Sequence, residues 1–179
     1  DAYTLILYHL YFGKVDPVLG YDASRYVFTL PLLELARGLA MGLVVLAAIG
    51  SAALYVAGGQ MALTPFGVSI QDRARRHLTW LAAALFLTLA MGAWLSRLNE
   101  IVAPSGIIQG ASYADAYARM PAALVLMAAA VVATGLAAAS AMGSSNRLLI
   151  GGAALYGIAL LGGQGYATML QRFAVTPNE

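Results

Sequence analysis

The chain contains no cysteine. That excludes disulfides, thiolate metal centres and a cysteine nucleophile within it, and leaves the redox compartment open. Charge is nearly as scarce, with ten Lys and Arg and eight Asp and Glu making 10% of 179 residues, against roughly 25% in ordinary soluble domains. So few charges cannot cover the surface of a water-soluble fold of this length. A net charge of +2 is too small an excess for a polyanion-binding face, which removes nucleic acid from the partners. A phosphate loop, a GxGxxG turn, a HExxH helix and a GxSxG elbow are all missing. Ser51, Ser140, Ser144 and Ser145 have no histidine and acid at recognisable spacing, so the chain is not expected to be an enzyme and no catalytic residue is assigned. It carries no basic stretch followed by a short apolar run and cleavage site, starts without Met, and reads as part of a longer protein.

What is abundant is apolar residues, 61% of the chain. Charged residues leave four long gaps, at 38–71, 77–96, 120–146 and 148–171, each able to hold a helix that crosses a bilayer. The spans expected inside them run from Pro31 to Gly58, His77 to Arg97, Arg119 to Met142 and Arg147 to Tyr166. The predicted fold is therefore all-α, a polytopic transmembrane helical bundle with four spans and interfacial connecting segments. Residues 1–30 form an extracytoplasmic or interfacial shoulder, 31–168 the four-span membrane domain, and 169–179 an extracytoplasmic exit. Pro31 suits a first helical turn, where its missing amide costs little, and Gly58 with Gly59 supplies the stop. Pro65 and Gly67 argue against a continuous helix in the first connection, which is expected at the surface. In the second, ASYADAYA suggests a short interfacial helix carrying Tyr113 and Tyr117.

Basic residues orient such a bundle. Arg73, Arg75 and Arg76 in the first connection and Arg147 in the third put one end of the bundle on the cytoplasmic side. His77 follows the basic run, where acidic lipid headgroups are favoured neighbours. Trp80 and Trp94 stand near opposite ends of span two and suit the two headgroup layers. Neither His9 nor His77 has a second histidine at ligand spacing, so no metal is assigned and no cofactor is identified.

Helices in lipid associate by close packing at small residues. Gly38 with Gly42, Gly135 with Ala139, and the glycines of span four, Gly157 among them, are the packing candidates. Glu34 and Arg37, three residues apart on one helix face, form a candidate polar passage or a charge pair at the membrane boundary. Asp16 and Asp22 are placed to cap local amides in the shoulder, with Tyr26 and Phe28 seating it in the interface.

FGKVDPVLGYDASRYVFTLP at Phe12 to Pro31, ARRHL at Ala74 to Leu78, WLSRLNEIVAPSGIIQGASYADAYARMP at Trp94 to Pro121 and the ending GYATMLQRFAVTPNE together resemble uncharacterised protein family 0182. Its members are large bacterial and cyanobacterial integral-membrane proteins with several membrane helices followed by a large non-membrane region. The resemblance implies that this chain is the later part of the helical region. It transfers no catalytic motif.

Packing features outnumber chemical ones, so the expected role is a membrane scaffold or accessory subunit of a larger assembly in the bacterial inner membrane. Its partners are membrane lipids and other membrane subunits or further parts of the same protein. A transporter or channel component and a membrane anchor of an extracytoplasmic domain are the alternatives.

Overall fold

The computed structural model describes residues 12–17, 19–65, 67–102, 104–105, 108–109, 119–143 and 145–170. A π-helical turn, Arg25–Thr29, leads into α1, Leu30–Ala57. Pro31 lies in the first turn of α1, directly after the π-helical turn. The far end is closed by a Schellman arrangement in which Gly58 N donates to Leu54 O at 2.8 Å and Gln60 N to Tyr55 O at 2.8 Å. Gly59 makes this turn at φ +68°, a conformation that side chains with a Cβ rarely adopt.

The first connection breaks the helix, as Pro65 and Gly67 imply. It is an antiparallel hairpin of β1, Met61–Thr64, and β2, Gly67–Ile70, with Thr64 paired to Gly67 across the turn. Pro65 lies in the turn itself, so the ladder loses no donor to it, and Gly67 takes φ +124°. α2, Asp72–Val102, then starts five residues before the expected His77 and continues five beyond Arg97. The basic run is helical, since arginine is a good helix former and Asp72 sits in the first turn. A second, two-residue-per-strand hairpin, β3 Pro104–Ser105 with β4 Ile108–Gln109, follows it. The expected helix with Tyr113 and Tyr117 lies outside the described residues, as do His9 and most of the 169–179 exit. α3, Met120–Met142, and α4, Arg147–Leu170, complete the order. The two short hairpins are connections, and the bundle itself is all-α.

Three helical stretches, Arg25–Ala57, Asp72–Glu100 and Met120–Met142, are long and apolar enough to cross a membrane. The expectation of four spans is reduced accordingly. The apolar stretch of α4 runs over Arg147–Gly163, about 26 Å of helix against a hydrocarbon core of about 30 Å.

The helices pack in chain order, α1 on α2, α2 on α3 and α3 on α4. α3 is the centre, with Ala130, Ala133, Ala137 and Ala141 wholly buried along one seam, the three- and four-residue spacing that keeps one face inward. Small side chains let backbones close up in a medium that gives no hydrophobic drive between helices. By contrast only Leu30 of α1 is buried, while Leu39, Leu43, Leu46 and Ile49 stand exposed, as lipid-facing residues do. At the end opposite the basic run Leu30, Leu95 and Leu98 form a cluster covered by Leu19, Tyr21, Tyr26 and Trp94, which seats the shoulder on α1 and α2.

Of the glycine packing candidates, two of span four, Gly152 and Gly163, make close contact within the segment. A Cβ on Gly38, Gly42, Gly135 or Gly157 would meet nothing within 4 Å. Close approach occurs at Gly152, where a Cβ would stand 3.1 Å from Ala133 Cα, at Gly163, 3.3 Å from Ala122 Cβ, and at Gly92, against the Arg37 guanidinium. On α1, Gly38 lies about 100° and Gly42 about 140° around the helix from Arg37, and Arg37 marks the face turned to α2. Spacing within one helix reveals a stripe but not its neighbour. Gly152→Ala is accordingly expected to destabilise the α3–α4 contact by about 1 kcal/mol. Gly157→Ala should stabilise by a few tenths up to about 1 kcal/mol through helix propensity. Paired thermal melts in one detergent would separate the two signs.

Candidate functional site

The turn opening α2 sorts its basic residues onto two faces. Ala74, Arg75 and Thr79 point into the bundle and are buried; Arg73, Arg76, His77 and Trp80 point outward and are exposed. The outward set has the i, i+3, i+4, i+7 spacing of one helix face, and it lines a cleft of about 430 Å³. Tyr55, near the end of α1, fixes His77: its hydroxyl lies 2.8 Å from His77 Nδ1, and the two rings meet edge to face at 5.9 Å. When Tyr55 donates, the ring proton resides on His77 Nε2.

Arg75 does something different from its neighbours. Its Nη2 donates to Gly143 O at 2.5 Å, and its Nη1 to Ser140 O at 3.2 Å and Asn146 Oδ1 at 3.5 Å. These carbonyls end α3, so the guanidinium caps a helix C-terminus and opposes its negative dipole end. Asp72 Oδ1 lies 3.5 Å from Arg75 Nε. Arg75 thus faces protein, whereas a lipid-facing place was expected of it. The first and third connections consequently share one end of the bundle, and Arg147 lies exposed at that same end.

At the other end, Glu34 and Arg37 both reach α2 but by separate routes. Glu34 Oε1 accepts from Asn99 Nδ2. Arg37 Nε donates to Thr88 O at 3.2 Å, its Nη2 lies 3.9 Å from Met41 Sδ, and its head occupies the groove that Gly92 leaves open. A third tie links α2 to the start of α3, where Glu100 Oε2 lies 3.4 Å from Arg119 Nη1. Trp94 packs on the cluster of Leu30, Leu95 and Leu98, while Trp80, 14 residues earlier and about 21 Å along the helix, borders the cleft. Ala139 is half-buried on α3.

In the shoulder, Asp16 Oδ2 accepts from Leu19 N at 2.7 Å and from the Tyr26 hydroxyl at 3.0 Å, and Asp22 Oδ1 accepts from Ser24 N at 2.9 Å and Phe12 N at 3.1 Å. Hydrogen bonds from the Ser24 hydroxyl and amide, and from the amides of Phe12 and Gly13, hold the Asp22 carboxyl below the usual aspartate range. A lowered folded value means the stabilisation is complete above the unfolded value and is lost as pH falls through the folded one. Acidification should therefore release the Phe12 and Ser24 amides, with an Asp22 carboxyl-carbon NMR midpoint below that of an unfolded aspartate. An Asn at position 22 should abolish the titration.

Sequence alone marked the basic run but not its division between faces. Tyr55, Asn99, Thr88 and Gly92 were not singled out, because each acquires its role from a helix distant in the chain. Among the described residues no three His, Asp or Glu side chains cluster as a metal site would require.

Comparison with known proteins places these features in a group. The family described as "Uncharacterised protein family (UPF0182)" matches residues 1–179. The chain is similar to a UPF0182 protein of Geobacter sulfurreducens, 36% identical over 173 residues that cover 93% of this chain and 19% of the relative. It is 40% identical over 182 residues to one of Kineococcus radiotolerans, covering 98% and 18%, and 34% identical over 169 residues to one of Kocuria rhizophila, covering 94% and 17%. No solved structure matches. The chain spans about a fifth of the length of the curated relatives it matches. With its match running from first residue to last, and with spanning helices beneath it, the chain belongs to the bacterial family UPF0182.

Proposed function

We propose that this segment is a membrane scaffold, the later part of the helical region of a larger protein or accessory subunit in the bacterial inner membrane. The observation that carries the reading is how its polar groups are used. α1 is fastened to α2 near both ends, by Glu34 to Asn99 and by Tyr55 to His77. α2 is fastened to α3 near both ends, by Glu100 to Arg119 and by Arg75 to the α3 terminus. Ionisable groups inside a membrane are expensive and ordinarily mark a transport route or a structural tie. Here Glu34, Arg37, Arg75 and Glu100 are engaged between neighbouring helices, which favours the tie over a passage and over catalysis. In this reading α4 is a fourth span, tilted little and extended by its last residues, and the basic end faces the cytoplasm.

The test uses the full-length protein. Gentle detergent extraction should retain a stoichiometric partner or the remainder of the protein in one monodisperse particle. Reconstituted vesicles should show no solute flux sensitive to Glu34→Gln or Arg37→Gln. A flux abolished by those two changes would replace this reading with that of a transporter component.

A further inference from the structure

We propose that the cleft on the outward face of the start of α2 is a discrete site for the phosphate of an anionic phospholipid headgroup. Four observations converge on it. Arg73 and Arg76 project outward into one cleft, and among the described residues neither has a carboxylate in salt-bridge reach. The one acid of that turn, Asp72, lies against Arg75 on the inward side. Two guanidiniums offer forked donors matched to phosphate oxygens. His77 adds a ring nitrogen whose orientation Tyr55 sets from another helix, at 2.8 Å, so α1 fixes one of the four side chains that line the cleft. The cleft of about 430 Å³ falls within the range of small-ligand sites, roughly 300–1,000 Å³.

Depth decides between a lipid and a soluble phosphate. The uncharged run of α2 begins directly after the arginines, at residue 77, and Trp80 stands in the cleft one turn further on, 47% exposed. An indole at that level seats at the boundary between headgroup and acyl chain. A phosphate held by Arg73 and Arg76 would carry its glycerol and chains down past Trp80 along the open apolar face. A free phosphate has nothing to place there.

Native mass spectrometry of the full-length protein, released from micelles doped equally with phosphatidylglycerol and phosphatidylcholine, tests this. One phosphatidylglycerol should be retained in preference to phosphatidylcholine. Arg73→Gln with Arg76→Gln should weaken that retention about thirtyfold, from about 1 kcal/mol per basic residue at a membrane surface. Arg73→Lys with Arg76→Lys should keep most of it, which separates loss of charge from loss of fold. Arg147→Gln, an exposed cation at the same end, should leave it unchanged. Equal retention of the two lipids, or an equal loss on Arg147→Gln, would overturn the site in favour of diffuse surface charge. In a second arm, inorganic phosphate is titrated into lipid-free protein. Its binding through Arg73 and Arg76 without a phosphatidylglycerol preference would overturn the lipid assignment.

Discussion

Arg75→Met should lower the stability of the bundle by about 3 kcal/mol, the cost expected when a buried charged donor is withdrawn from its acceptors. The side chain is 8% exposed and serves Ser140 O, Gly143 O and Asn146 Oδ1 together. Methionine fills similar volume but donates nothing, so the last carbonyls of α3 lose their partners at the point where the chain turns into α4. Arg75→Lys should recover less than half of the loss, because an ammonium on a shorter stem cannot span the same acceptors with a planar fork. Arg73→Met, two residues away, should change stability by no more than about 0.5 kcal/mol, since its side chain is exposed and lies on the other face. Unfolding of the three variants by heat in one detergent would check all three magnitudes. Equal losses at positions 73 and 75 would show that the cap contributes nothing.

The second large effect is expected at Gly92. A Cβ there would stand 2.5 Å from Arg37 Nε and Nη2. Gly92→Leu should therefore expel the guanidinium from its groove, break its bond to Thr88 O, and cost about 2 to 3 kcal/mol through overpacking and a displaced charge. Arg37→Ala combined with Gly92→Leu should recover at least half of that, the leucine occupying the space the arginine leaves. The coupling is the decisive quantity in this cycle. Additive effects would mean that the two side chains do not compete for one groove, and that Arg37 is anchored elsewhere.

The parts of the fold legible in the sequence are those fixed by the solvent. A helix in hydrocarbon carries few charges, so the gaps between charges, bounded for α1 by Pro31 and Gly58, located α1, α2 and α3 to within five residues at every end. Turn chemistry was legible at Gly59, which ends α1, and at Pro65 and Gly67, which break the helix, although the strands on either side of them were not foreseen. The fourth gap was long enough by count, but charge-free length does not measure how much of α4 is apolar. Which face of a helix meets another was not legible at all. Arg73, Arg75 and Arg76 are chemically one residue type within four positions, and only the arrival of α3 separates them. The same holds for glycine: Gly42 and Gly92 are alike in sequence, and only the neighbour of Gly92 turns its missing Cβ into a socket.

The fastening of α2 to the end of α3 joins residues 68 apart in sequence, and that separation constrains biogenesis. When α2 leaves the ribosome and enters the membrane, the carbonyls meant for Arg75 have not yet been synthesised. A growing chain must therefore hold α2 with that guanidinium hydrated until α3 has threaded back to the same leaflet, at which point the cation is withdrawn from water and the hairpin locks. Insertion of the third helix thus supplies the acceptors that let the cation leave water, and a chain arrested before residue 143 would lack them.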